Sequence, residues 1–202
     1  IIGNYNRNKA VWYGGANYFT TALNNVNITG KYTDNKADYR GGANFFNQPI
    51  SNVNIIGNYV RNTVTYNYGG AIHFSEYATL TNVTMTGNYT DNAADYGGAN
   101  SFFNDLTNVT ITGNYINNKA TNNGGALNFA KALENVTIIG NYIRNSGLNV
   151  IYISNSTHDN VIKDSVFINN PAIGIEVANG NLNVINNWFG NNASNYGTNI
   201  TT

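Results

Sequence analysis

The side chains that could do chemistry are few and evenly spaced. Asp34 and Asp38 fall in one repeat of the chain, and Asp91 and Asp95 stand in equivalent places two repeats on. Paired carboxylates, one acid and one base, are the tool of polysaccharide hydrolysis. His73 stands alone between Ile72 and Phe74. His158-Asp159 reads as a turn, with Ser154 and Ser156 near in sequence but no nucleophile motif around them. Two distant histidines and no cysteine make no zinc set, so no metal or cofactor is expected. The aromatic residues offer more. Tyr13, Tyr68 and Tyr96 directly precede a glycine pair, and Tyr39 lies one place earlier than its counterparts. Stacked once per repeat, they could form a row of flat faces with polar rims, suited to sugars or to another protein. The competing reading is that the rings fold over a corner and cover core.

These residues are positioned by a repeat. GGA triplets start at Gly14, Gly41, Gly69, Gly97 and Gly124, in steps of 27, 28, 28 and 27 residues. A Tyr-x-x-Asn element starts at Tyr5, Tyr32, Tyr59, Tyr89, Tyr115 and Tyr142, and continues with Phe at Phe167 and Phe189. A fixed period in this range marks a solenoid, propeller or array.

Within each unit, words such as NVTIT alternate apolar and polar residues. Val53 and Ile55, Val83 and Met85, and Val109 and Ile111 share one parity, and Thr84, Thr86, Thr110 and Thr112 share the other. Period two with β-branched residues predicts a strand with one buried face. A second strand follows the glycines. Its Phe19, Phe46, Phe74, Phe102 and Phe129 should share an inward face with Asn17, Asn44, Ile72, Asn100 and Leu127, two places before. That parity points His73 outward, as a plain surface residue. Units of this length with two or three short strands predict coils stacked at the strand spacing of ~4.8 Å. The expected fold is all-β: a right-handed, single-stranded parallel β-helix of seven to eight coils, roughly 35 Å long. A propeller would need four strands per blade, which these units lack.

The Asn of Tyr-x-x-Asn recurs at Asn8, Asn35, Asn62, Asn92, Asn118, Asn145, Asn170 and Asn192. At a fixed corner, each amide could donate and accept along the stack as a structural ladder. The glycine pairs suit a bend needing positive φ or close backbone approach. After Asn145 the GGA words stop, and the steps fall to 25 and 22, which predicts shorter coils at this end. The reading is one repeat domain over residues 1–192, with residues 193–202 a polar tail or the start of a further coil.

Ten acids balance ten bases, which argues against nucleic acid as a partner. The 44 asparagines would suit a disordered or prion-like chain, were it not for the regular Val, Ile, Leu and Phe positions. No apolar run approaches the roughly 18 residues of a membrane span. The opening IIGNY repeats Ile55–Tyr59, so the chain reads as part of something longer.

GGA(I/L) followed a coil later by F/Y-x-x-N resembles the repeats of polymorphic outer-membrane autotransporters. The GNYxxN wording, closing in NNWFGNN, is more closely similar to the Asn/Thr-rich adhesin-like surface proteins of methanogenic archaea. The resemblance implies a secreted, non-enzymatic adhesin or stalk, displayed extracellularly at the cell surface or wall. Its partners would be other cell surfaces, glycans or wall polymers.

Three further expectations follow from the residues. Two coils separate Asp34 from Asp91 by ~9.6 Å, near the upper limit for an inverting carboxylate pair. The residue before each ladder Asn, however, runs Arg7, Asp34, Arg61, Asp91, Asn117, Arg144, which reads as an exposed ion-pair row rather than an enzyme's centre. Glycan-acceptor sequons occur at Asn27, Asn82, Asn88, Asn108, Asn135, Asn155, Asn192 and Asn199. Asn82, Asn108 and Asn135 are the preferred ones, as heads of outward strand faces. Asn199-Ile200-Thr201 repeats Asn27-Ile28-Thr29, so coils could continue, or copies could stack head to tail into a filament.

Overall fold

The computed structural model describes residues 1–197, 200 and 201. It is a parallel β-solenoid of about seven coils with a period of about 27 residues, and no helix occurs among the described residues. Each full coil carries one long strand, one two-residue strand and one three-residue strand, as in Leu80–Thr90, Ala93–Ala94 and Asn100–Phe102. Every strand pairs in parallel with its counterpart one coil away. Val83 lies over Val53 and under Val109, and Tyr89 over Tyr59 and under Tyr115. Like residues stack on like because the side-chain period of two fixes the inward set in every coil.

The core is therefore built of columns. Tyr5, Tyr32, Tyr59, Tyr89, Tyr115, Tyr142, Phe167 and Phe189 stack with ring centroids 4.6–5.0 Å apart and planes within 2–13°. Phe19, Phe46, Phe74, Phe102 and Phe129 form a second column at 4.5–5.0 Å. Aliphatic columns through Val83, Met85 and Leu80 fill the space between.

Three sets of residues in the left-handed region turn the coil. The first glycine of each GGA has φ between 58° and 70°. A Cβ on the second would come within 2.1–2.6 Å of a carbonyl oxygen in the next coil, so one glycine supplies the conformation and the other the close approach. The other two sets carry no glycine. Arg7, Asp34, Arg61, Asp91, Asn117 and Arg144 have φ of 53–57°, and so do Asn25, Asn52, Asn82, Asn108 and Asn135, at 52–55°. Asn and Asp tolerate this region better than most side chains.

Beyond Asn145 the two-residue strand is gone, and Asn149–His158 follows the ladder corner directly. Ser194–Tyr196 pairs with Ile173–Gly180, and Ile200–Thr201 with Leu182–Ile185, so strand pairing extends into the segment after Asn192. Asn199, a sequon and part of the expected further coil, lies outside the described residues.

Candidate functional site

The corner asparagines are the most fully bonded side chains in the molecule. Asn92 Nδ2 donates to Asn118 Oδ1 at 3.0 Å and to the Tyr59 carbonyl at 2.9 Å. Its Oδ1 accepts from the backbone N–H of Asn62 at 2.9 Å and from Asn62 Nδ2 at 3.1 Å. Both N–H groups and both lone pairs are thus used. The pattern repeats at Asn35, Asn62, Asn118, Asn145 and Asn170, all buried. Asn8, exposed in the first coil, donates to Asn35 Oδ1, and half-buried Asn192 accepts from Asn170.

The acidic residues are engaged next to this corner. Arg61, from the coil between Asp34 and Asp91, takes both oxygens of Asp34 at 2.7 and 3.0 Å. That hydrogen-bonded guanidinium holds the Asp34 carboxyl below the usual carboxylate range. Asp91 accepts a hydrogen bond from Asn117. An ion-paired Asp34 is a poor general acid, because protonating it means breaking the pair. A smaller hollow of about 320 Å³ brings Asp105, Glu134 and His158 to one rim, where Asp105 accepts the Ala132 N–H. No group of three or more His, Asp or Glu positioned to hold a metal ion occurs among the described residues.

The aromatic row differs from its expected form in two ways. The backbone register runs Tyr13, Arg40, Tyr68, Tyr96, so Arg40 and not Tyr39 occupies the second position. Tyr39 instead stacks on Trp12 at 5.0 Å and leans on Tyr66. The ring faces are also taken. Arg40 lies 6.0 Å from the Tyr13 centroid and 5.5 Å from that of Tyr68, and pairs with Glu76 at 3.0 Å. Tyr13 stacks on Phe45, and Tyr68 on His73 and Phe103. Tyr13 and Tyr68 thus act as a cover over the three-residue strand.

That cover corrects the placement of His73. The histidine does point away from the solenoid core, but Tyr68, Phe45 and Phe103 surround it and it is fully buried. Neither ring nitrogen completes a hydrogen bond within the protein. Burial, with the Arg40 charge second, holds its pKa well below the usual imidazole value, so the ring is neutral.

Asn82, Asn108 and Asn135 sit at a left-handed kink inside the long strand, between its leucine or isoleucine column and its valine column. They are exposed and run as a surface ladder: Asn82 donates to Asn52 at 3.2 Å, Asn108 to Asn82 at 3.1 Å and Asn135 to Asn108 at 2.7 Å. Each Nδ2 keeps one further N–H, where a glycan would attach.

A further concave surface is one the sequence did not single out. A groove of about 570 Å³ runs along six coils. Its floor is the glycine column Gly3, Gly30, Gly57, Gly87, Gly113, Gly140. One wall is Ile2, Thr29, Ile56, Thr86, Thr112 and Ile139, and the other is Asn4, Lys31, Asn58, Asn88, Asn114 and Asn141. The floor glycines are inward positions of the strand. A Cβ at Gly57 would lie 2.7 Å from the Tyr59 ring, and one at Gly113 would lie 2.4 Å from the Gly87 carbonyl. The chain therefore dips at each glycine, and its outward neighbours on either side become ridges. The recurring TGNY wording was the available signal, but alternation alone does not reveal concavity. No family model, curated protein or solved structure matches this chain.

Proposed function

We propose that this chain is a non-enzymatic rod of an extracellular surface protein, adhesin-like or stalk-like, that carries a recognition face along its length. The observation that carries the reading is the unbroken corner ladder. From Asn8 to Asn192 each amide is bonded to the next, so neighbouring coils are held in one fixed stack, as a spacer requires. The ion-paired state of Asp34 and the resemblance of the GNYxxN repeats to archaeal adhesin-like proteins support it further.

Cell-binding and glycan-array assays with the purified rod test the proposal. Binding to a cell surface, glycan or wall polymer, without change in the polymer, is the expected outcome. Turnover of a wall polymer, lost in Asp34→Asn, Asp91→Asn or Glu134→Gln, would replace it with an enzyme. Failure to bind any surface would leave only the structural role.

A further inference from the structure

The long groove has a chemistry of its own. Its floor is bare backbone, and the peptide groups there are committed to neighbouring coils, with Gly57 paired to Gly30 and Gly87 to Gly57 and Gly113. A ligand therefore cannot bind by adding a strand at the floor and must be recognised by the walls. One wall is apolar, from isoleucine side chains and threonine methyl groups; Ile56 is 48% exposed there. The other is an amide column. Asn88 donates to Asn58 at 2.8 Å, Asn114 to Asn88 at 2.7 Å and Asn141 to Asn114 at 2.7 Å. Each inner amide in this column uses one N–H and one lone pair on its neighbours, so one donor and one acceptor remain per coil.

Charge selects the class of ligand. Lys31 and Asp164 are the charged lining residues, of opposite sign and five coils apart. Neither a polyanion nor a polycation is matched. The groove repeats one apolar rib and one donor–acceptor pair every ~4.8 Å over about 24 Å. An extended neutral polysaccharide repeats on nearly that length, with one C–H face and several hydroxyls per sugar.

We infer that the groove binds a linear, uncharged glycan in an extended conformation, about one sugar per coil, its C–H faces on the Ile/Thr wall and its hydroxyls on the Asn column. This deepens the adhesin reading by naming the ligand class, and it takes recognition away from the tyrosine row, where Tyr13 and Tyr68 are packed against Arg40, Phe45 and His73.

The probes are cellohexaose, mannohexaose and chitohexaose, with hexagalacturonate as the charged contrast, followed by NMR chemical shifts and calorimetry on the whole chain. At least one neutral hexasaccharide should shift Thr86, Asn88, Thr112 and Asn114 together. The matching disaccharide should bind at least about tenfold more weakly, since it spans two coils instead of six. Filling the groove with Thr86→Arg and Thr112→Arg should lower affinity by at least about tenfold. Thr79→Arg, exposed and outside the groove, should not. Because shifts are mapped on the unaltered chain, a misfolded variant does not protect the idea. Absence of groove shifts with all three neutral probes overturns it, and so does binding of hexagalacturonate alone or of a peptide alone. Cell adhesion without groove shifts would sink this inference and spare the adhesin reading. Groove shifts from a rod that adheres to no cell would keep the glycan site and remove the cell-adhesive role.

Discussion

Two columns of asparagine run through the interior of this rod, and they behave differently. At the Tyr-x-x-Asn corner the column is continuous, and every amide from Asn35 to Asn170 is buried and bonded above and below. On the flank after the glycine pairs, the column reads Asn17, Asn44, Ile72, Asn100, Leu127. Asn17 donates to Asn44 at 2.9 Å, and Asn44 to the Tyr59 hydroxyl at 3.3 Å. Ile72 then breaks the chain. Asn100 sits beside the hydroxyls of Tyr89 and Tyr115, yet neither its amide nor these hydroxyls completes a hydrogen bond within the protein. A buried amide stabilises a stack only when its neighbours continue the pattern; isolated, it carries its desolvation penalty uncompensated. Flank cohesion comes from the adjacent phenylalanines and tyrosines.

The most severe way to break the flank is alkali. Burial raises the pKa of the hydroxyls of Tyr32, Tyr59, Tyr89, Tyr115 and Tyr142, foremost among other causes. Raised folded values mean that their contribution is complete below the unfolded tyrosine pKa of about 10 and is lost as pH climbs above it toward the folded values. Ultraviolet titration should show exposed tyrosines ionising first, and the buried five only together with loss of the β signal in circular dichroism. Smooth ionisation of all tyrosines with the fold intact would show that the column is open to water.

Removing one flank ring comes next. Phe102→Ala leaves a gap between Phe74 and Phe129 and should cost roughly 3–5 kcal/mol in denaturant titration. A loss under about 1 kcal/mol would mean that the column closes over the gap.

The smallest effect concerns His73. Its folded pKa is depressed, so its share of stability is present above the unfolded value of about 6.5 and falls away as pH drops below it. His73→Phe, matching Phe45 one coil away, should remove that acid-side loss. The variant should gain on the parent in thermal melts below pH 6.5, and by less at pH 8. Equal gains at both would mean that packing alone is responsible.

Much of this was legible in the sequence because stacking turns a linear period into a spatial column. The corner ladder follows from spacing alone, and the inward parity of Phe102 and Asn100 follows from alternation. What the sequence withheld were relations between segments. Alternation says which way His73 points, but not that Tyr68 and Phe103 fold over it. The step of 28 from Gly41 to Gly69 does not disclose that Arg40, rather than Tyr39, keeps register with Tyr68. Arg61 and Arg144 give no sign in their residue type of a left-handed backbone. The groove depends on the angle at which the chain dips at Gly87, and no pattern of polarity encodes an angle.

The contrast between the two columns is tested most directly by making one substitution in each. Asn92→Leu orphans the Asn62 N–H groups and the Tyr59 carbonyl. It should cost about 1–3 kcal/mol in denaturant unfolding. Asn100→Leu installs the residue already present one coil away at Leu127, removes an unbonded buried amide, and should be neutral or stabilising by up to about 1 kcal/mol. Opposite signs would establish that continuity of the ladder, and not burial of asparagine as such, holds the coils together. Equal losses at the two sites would contradict it.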